Sequence, residues 1–199
     1  GLAGAYAGAC TLRSAIQAAN TDLMVDNCPA GDTGLDQIEF DASLAESVIT
    51  LSEGELLITD SVNITGPVVE DYVGITVDAQ FSSRVLQIDG VSESAAIGVT
   101  LEGLTLQRGY IDSSTPEPYH GAGIRSRAAD LVLRHSRVIE SEASAGSGGG
   151  IYHDYGGSLT LESGAVFANT VDRYNGVPPF DETREYLRRV RILRARYGS

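Results

Sequence analysis

Asp130-Leu-Val-Leu-Arg-His-Ser-Arg-Val138 returns as Ser158-Leu-Thr-Leu-Glu-Ser-Gly-Ala-Val166, and Gly98-Val-Thr-Leu-Glu-Gly-Leu-Thr-Leu106 is an earlier copy of the same phrase. Gly123-Ile124 lines up with Gly150-Ile151 in the same way. Around these phrases lie other short apolar alternations: Ile38-Glu-Phe40, Val48-Ile-Thr-Leu51, Val62-Asn-Ile64, Ile75-Thr-Val77, Val85-Leu-Gln-Ile88 and Ala165-Val-Phe167. Each reads as a strand of three to five residues bounded by Gly, Asp, Ser or Asn. No helical stretch long enough for a βαβ crossover separates them, which argues against a doubly wound sheet. A unit of this size cannot bury its apolar face alone, so neighbouring copies must stack. An antiparallel sandwich is the rival, but it has no reason to repeat at a fixed offset. The expected fold is all-β, a right-handed parallel β-helix of about five rungs.

A solenoid needs its open ends covered, because a bare terminal strand pairs with other chains. In the segment Cys10-Thr-Leu-Arg-Ser-Ala-Ile-Gln-Ala-Ala-Asn20, Leu12, Ile16 and Ala19 form one stripe of a short helix, with Asn20 and Asp22 as stop signals. That helix is expected to cap the first end. Cys10 and Cys28 are the only cysteines. A bridge between them would contribute about 3 kcal/mol by loop entropy and points to an exported protein; two unrelated buried thiols are the alternative.

The chain has 199 residues, 42% hydrophobic and 21% charged, with net charge −13. This is globular usage, with no apolar run long enough for a membrane-spanning helix. Its one methionine, Met24, is internal, so any leader is expected upstream. All the basic residues are arginine: residues 1–170 carry 7 against 23 acids, and residues 171–199 carry 7 against 4. An acidic body repels phosphate backbones, which argues against nucleic acid as partner. Two domains are expected: a β-helix with its cap over 1–170, and an Arg-rich helical tail over 171–199. In the tail Asp181 is a candidate N-cap, and Tyr186, Val190, Leu193 and Tyr197 share one helix face. Such a helix could cover the last rung.

Cys10-Thr-Leu-Arg13, Ala15-Ile16 and Ala19-Asn20 resemble the Cys-Ser-Leu-Arg-Glu-Ala-Ile…Ala-Asn opening of a family of exported bacterial right-handed parallel β-helix proteins. Ile38-Glu-Phe40-Asp41, Ile49-Thr-Leu51, Ile58-Thr-Asp60-Ser61 and Gly148-Gly-Gly-Ile151-Tyr152 fit it too. Ser14 stands where that family usually carries Glu, which removes an ion pair near Arg13. The resemblance implies a secreted or surface-exposed β-helix and no particular enzyme. The tail, from Arg173-Tyr174 through Pro178-Pro179-Phe180, Glu182-Thr183 and Tyr186 to Val190, resembles the C-terminal end of soluble lytic transglycosylase domains. That resemblance places Tyr186 on the tyrosine lining the sugar cleft. The Glu-Ser pair, the Gly-Leu-Met-Gln segment and the Ala-Tyr-Asn-Ala-Gly segment that should precede it are absent, which leaves no acid to protonate a glycosidic oxygen.

Glycoside cleavage needs two carboxyl groups facing one groove. Asp112, Asp130, Glu140 and Asp154 fall near rung corners, with Asp130 and Asp154, joined by His153, as the catalytic candidates. Stacking at the observed offset brings Asp130 beside Ser158 and not beside a second acid. Arg125 and Arg127 alternate along one strand and share a face, a hint of lyase chemistry. Tyr152, His153 and Tyr155 form the most site-like cluster, since aromatic faces stack on sugars; with Tyr186 they are the ligand-binding candidates. A solvated turn between Gly148–Gly150 and Gly156-Gly157 is the competing reading. His120, His135 and His153 make no metal-ligand motif, and no cofactor signature is present. Asn63-Ile-Thr65 matches a glycosylation sequon but lies in an expected strand. The expected function is a secreted or cell-surface binding module, non-catalytic, with polysaccharide or peptidoglycan as partner. A polysaccharide lyase or hydrolase is the first alternative, and a lytic transglycosylase remnant the second.

Overall fold

The computed structural model describes residues 10–67, 74–115 and 120–171. Among the described residues α1 (Leu12–Thr21) comes first and fifteen strands follow it. The first circuit holds β1 (Asp36–Glu39), β2 (Ser47–Thr50) and β3 (Leu56–Ile58); the second holds β4 (Val62–Thr65), β5 (Ile75–Asp78) and β6 (Leu86–Asp89). The third runs through β7 (Ile97–Glu102), β8 (Leu104–Gln107), β9 (Tyr110–Ile111) and the first half of β10 (Ile124–Arg134). The rest of β10, β11 (Arg137–Ile139), β12 (Glu142–Ala143) and the first half of β13 (Ile151–Glu162) make the fourth. The remainder of β13, β14 (Ala165–Phe167) and β15 (Thr170–Val171) begin a fifth. Four complete circuits therefore stand where about five rungs were expected.

Every ladder between these strands is parallel. The molecule is a parallel β-solenoid with three main faces. The first stacks β1, β4, β7 and the second halves of β10 and β13; the second stacks β2, β5, β8, β11 and β14; the third stacks β3, β6 and the first halves of β10 and β13. The repeat seen in sequence is the ladder itself: Gly98, Asp130 and Ser158 are register partners, as are Ile124 and Ile151.

Inward positions form columns. Ile38, Ile64, Leu101, Leu133 and Leu161 stack in one of them. Fully burying such a side chain contributes about 1.5–3 kcal/mol, so the columns carry the fold. Two of the corners are made by single residues in the left-handed region. Gly103, His135 and Ser163 turn the first face into the second, and Arg108, Glu140 and Ala168 turn the chain away from the second. Buried serines clip these corners to the circuit below: Ser136 Oγ accepts from Leu104 N, and Ser141 Oγ accepts from Gly109 N, both at 3.1 Å.

The first end is closed by α1. Thr11 Oγ1 accepts the Ser14 N–H as N-cap, and Asp22 ends the helix at φ 52°. Leu12, Ile16 and Ala19 join the core, as their spacing predicts. Arg13 donates to the carbonyls of Gly54 and Glu55 at 2.6 and 2.8 Å, and Asn20 donates to the Leu57 carbonyl and accepts the Thr59 N–H along the free edge of β3. Ser14, in the place of the expected Glu, donates to Asp26 at 2.5 Å. A disulfide joins Cys10 to Cys28 across a Cα separation of 4.7 Å. At the other end Leu159, Leu161, Val166 and Phe167 are exposed. Of the expected helical tail, 171–199, Val171 belongs to β15 and the rest lies outside the described residues.

Candidate functional site

Alternation along β10 and β13 sorts the site residues predicted from sequence onto opposite sides of the sheet. Ile124 lies in the core, so Arg125 and Arg127 face outward, and their register partners Tyr152 and Asp154 do the same. His153 faces inward instead, in the column of Ile58, Ile88 and Ser126, with its Nδ1 3.1 Å from Ser126 Oγ. The structure thus brings Tyr152 and Asp154 together and separates His153 from both. Asp130 lies past the corner at Ala128, on the first face, where it accepts the Ser158 hydroxyl at 2.7 Å. Asp130 and Asp154 therefore occupy different faces of the solenoid. Tyr186 lies outside the described residues.

The outer surface of the third face carries two columns. One runs Leu57, Gln87, Arg125, Tyr152; the next runs Asp89, Arg127, Asp154. His120 stacks on Tyr152 with ring centroids 4.3 Å apart and planes 21° apart, and its Nδ1 accepts the Ser147 N–H at 3.0 Å. Arg127 reaches Asp89 at 3.2 Å and lies 4.4 Å over the ring of Tyr155. Those contacts hold the Arg127 pKa above its ordinary value, with the Asp89 hydrogen bond the largest cause.

Arg84 braces the lower edge. It donates to the carbonyls of His120 and Gly121, to Gln87 Oε1 at 2.9 Å and to Glu55 Oε2 at 2.5 Å. Burial lowers its pKa, the Glu55 carboxylate opposes that, and the positive charge of Arg125 adds to it. Beside this brace is a cavity of about 520 Å³ lined by Glu55, Ser82, Ser83, Arg84, Gln87, Ser114 and Thr115. Nothing in the sequence singles out Arg84, because an arginine at a corner reads as solvated. Its role is visible only once the His120 and Gly121 carbonyls are placed beside it.

Among the carboxylates with displaced pKa, none resembles a catalytic acid. Asp41 is lowered by the hydroxyl and N–H of Ser43, and Asp112 by those of Ser114. For Asp78 burial pushes upward, but hydrogen bonds from Arg108, Gln107 and the Gln80 N–H hold it below the usual range. A general acid requires the opposite displacement. Among the described residues no cluster of three or more His, Cys, Asp or Glu could hold a metal ion, and no helix is long and apolar enough to cross a membrane. No protein-family model, curated protein or solved structure matches the chain.

Proposed function

We propose that the chain is an exported, non-catalytic binding module whose third face holds carbohydrate. The observation that carries this reading is the outward Tyr152, stacked on His120 and set in register with Arg125, beside the column of Asp89, Arg127 and Asp154. Sugar rings are recognised by an aromatic face together with a few fixed polar groups. A parallel ladder supplies both at a rigid spacing of about 4.8 Å between strands. Support for export comes from the Cys10–Cys28 disulfide, since such bonds persist in oxidising compartments, and from the resemblance to exported bacterial β-helix proteins. A right-handed coil is the sense expected of β-crossover-β connections. Polysaccharide or peptidoglycan is the ligand class in view.

The test is a titration of wild type and Tyr152→Ala with neutral and acidic oligosaccharides, followed by NMR. Removing the ring is expected to weaken binding by about tenfold, since an aromatic contact contributes roughly 0.5–1.5 kcal/mol beyond its area. Unchanged affinity in a folded Tyr152→Ala protein would refute the assignment of the face.

A further inference from the structure

Two charged groups on the third face lack what their neighbours have. Arg84 is paired with Glu55, and Arg127 with Asp89. Arg125 is 6% exposed, and its Nε is buried with no hydrogen-bond partner among the described residues. Asp154 has a buried Oδ1 in the same condition. A guanidinium cannot escape burial by losing its proton, because it is too weak an acid. Leaving it buried and unpaired costs free energy, and a second guanidinium nearby adds repulsion.

The two unmet groups are complementary in chemistry and close in space. Arg125 is the register partner of Tyr152, and Asp154 lies two residues further along the same strand. Strand geometry places Arg125 and Asp154 about 8 Å apart, one step across and two residues along. One needs an acceptor, and the other needs a donor. Tyr152 stands next to both.

We propose that Arg125 and Asp154 form the polar grip of a subsite for a sugar bearing a single carboxylate, such as a uronic acid. This rests on the carbohydrate reading of the third face and adds the class of sugar. The carboxylate of the ligand takes the guanidinium of Arg125, the geometry in which arginine is strongest. A ring hydroxyl donates to Asp154, and the ring lies against Tyr152. The protein's net charge of −13 repels a dense polyanion, so an isolated carboxylate on an otherwise neutral glycan fits better than a polyuronate.

The experiment titrates the full chain with glucuronate, glucose and acetate, reading NMR shifts and Tm, with Arg125→Met and Asp154→Asn as variants. In wild type, glucuronate is expected to bind at least tenfold more tightly than glucose and to raise Tm saturably, while acetate reproduces neither effect. Arg125→Met is expected to erase the preference and to melt no lower than wild type in plain buffer. Asp154→Asn weakens both sugars. Glucuronate binding no better than glucose would overturn the subsite and leave the carbohydrate reading standing. No saturable binding of either sugar would overturn both. Acetate binding as tightly as glucuronate would make the site one for bare carboxylates and overturn the sugar class. Unfolding or strong destabilisation of Arg125→Met would mark Arg125 as a structural strut, against the proposal.

Discussion

The carboxamide of Asn20 bridges Leu57 and Thr59 along one edge of the backbone. Its Nδ2 donates to the Leu57 carbonyl and its Oδ1 accepts the N–H two residues on, at Thr59, both at 2.8 Å. Strand β3 has β6 on one side only, so its other edge would otherwise present unpaired groups. Asn20 bonds that edge and Arg13 the carbonyls of Gly54 and Glu55 just before it, while Leu12, Ile16 and Ala19 seal the core beneath. Asn20→Ala is therefore expected to cost about 1–3 kcal/mol, two hydrogen bonds at their usual net worth. Urea unfolding checks this, and an unchanged midpoint would contradict it.

The disulfide fastens the same cap from the other side. Reduction, or Cys10→Ser with Cys28→Ser, is expected to remove about 3 kcal/mol, the loop entropy of an 18-residue separation. The measurement is Tm with and without reductant. The double variant should match the reduced protein and show no further response to it.

The last two members of one core column should respond differently to the same substitution. Leu133 is 1% exposed and its register partner Leu161 is 48% exposed. Leu133→Ala is expected to cost 2–5 kcal/mol in lost burial and cavity, and Leu161→Ala less than about half of that. Equal losses would mean that Leu161 is covered as deeply as Leu133.

Acid should weaken the protein through Asp78, which Arg108 and Gln107 hold in the ionised form. Its folded pKa is depressed, so its contribution is full above the unfolded value near 3.9 and is lost as pH falls through the lower folded value. Stability measured by urea unfolding should be flat from pH 7 to about 5 and fall below about 4. Asp78→Asn should flatten part of that fall; Asp41 and Asp112, displaced in the same direction, retain the rest.

What could be read from the sequence follows the inward columns. Leu131-Val-Leu133 and Leu159-Thr-Leu161 announce their strands because both inward positions are apolar, and the register partners found from the repeat are those of the ladder. The first half of β13 carries no strand pattern of its own, because His153 fills an inward position where the pattern expects an apolar residue. That same irregularity hid the alternation that separates His153 from Tyr152. Arg125 and Arg127 were correctly placed on one face, yet that one is paired and the other is not depends on Asp89, a full circuit away in sequence. The corners were hidden for a related reason: His135 and Glu140 adopt a conformation that composition assigns to glycine.

The measurement that bears most directly on function is incubation with neutral and uronate-bearing oligosaccharides, with binding followed by titration and the ligand then weighed by mass spectrometry. Saturable binding with every oligosaccharide recovered at its original mass is the predicted result. Shortened or unsaturated products would contradict it, showing that the third face, or another acid such as Asp130, performs cleavage after all.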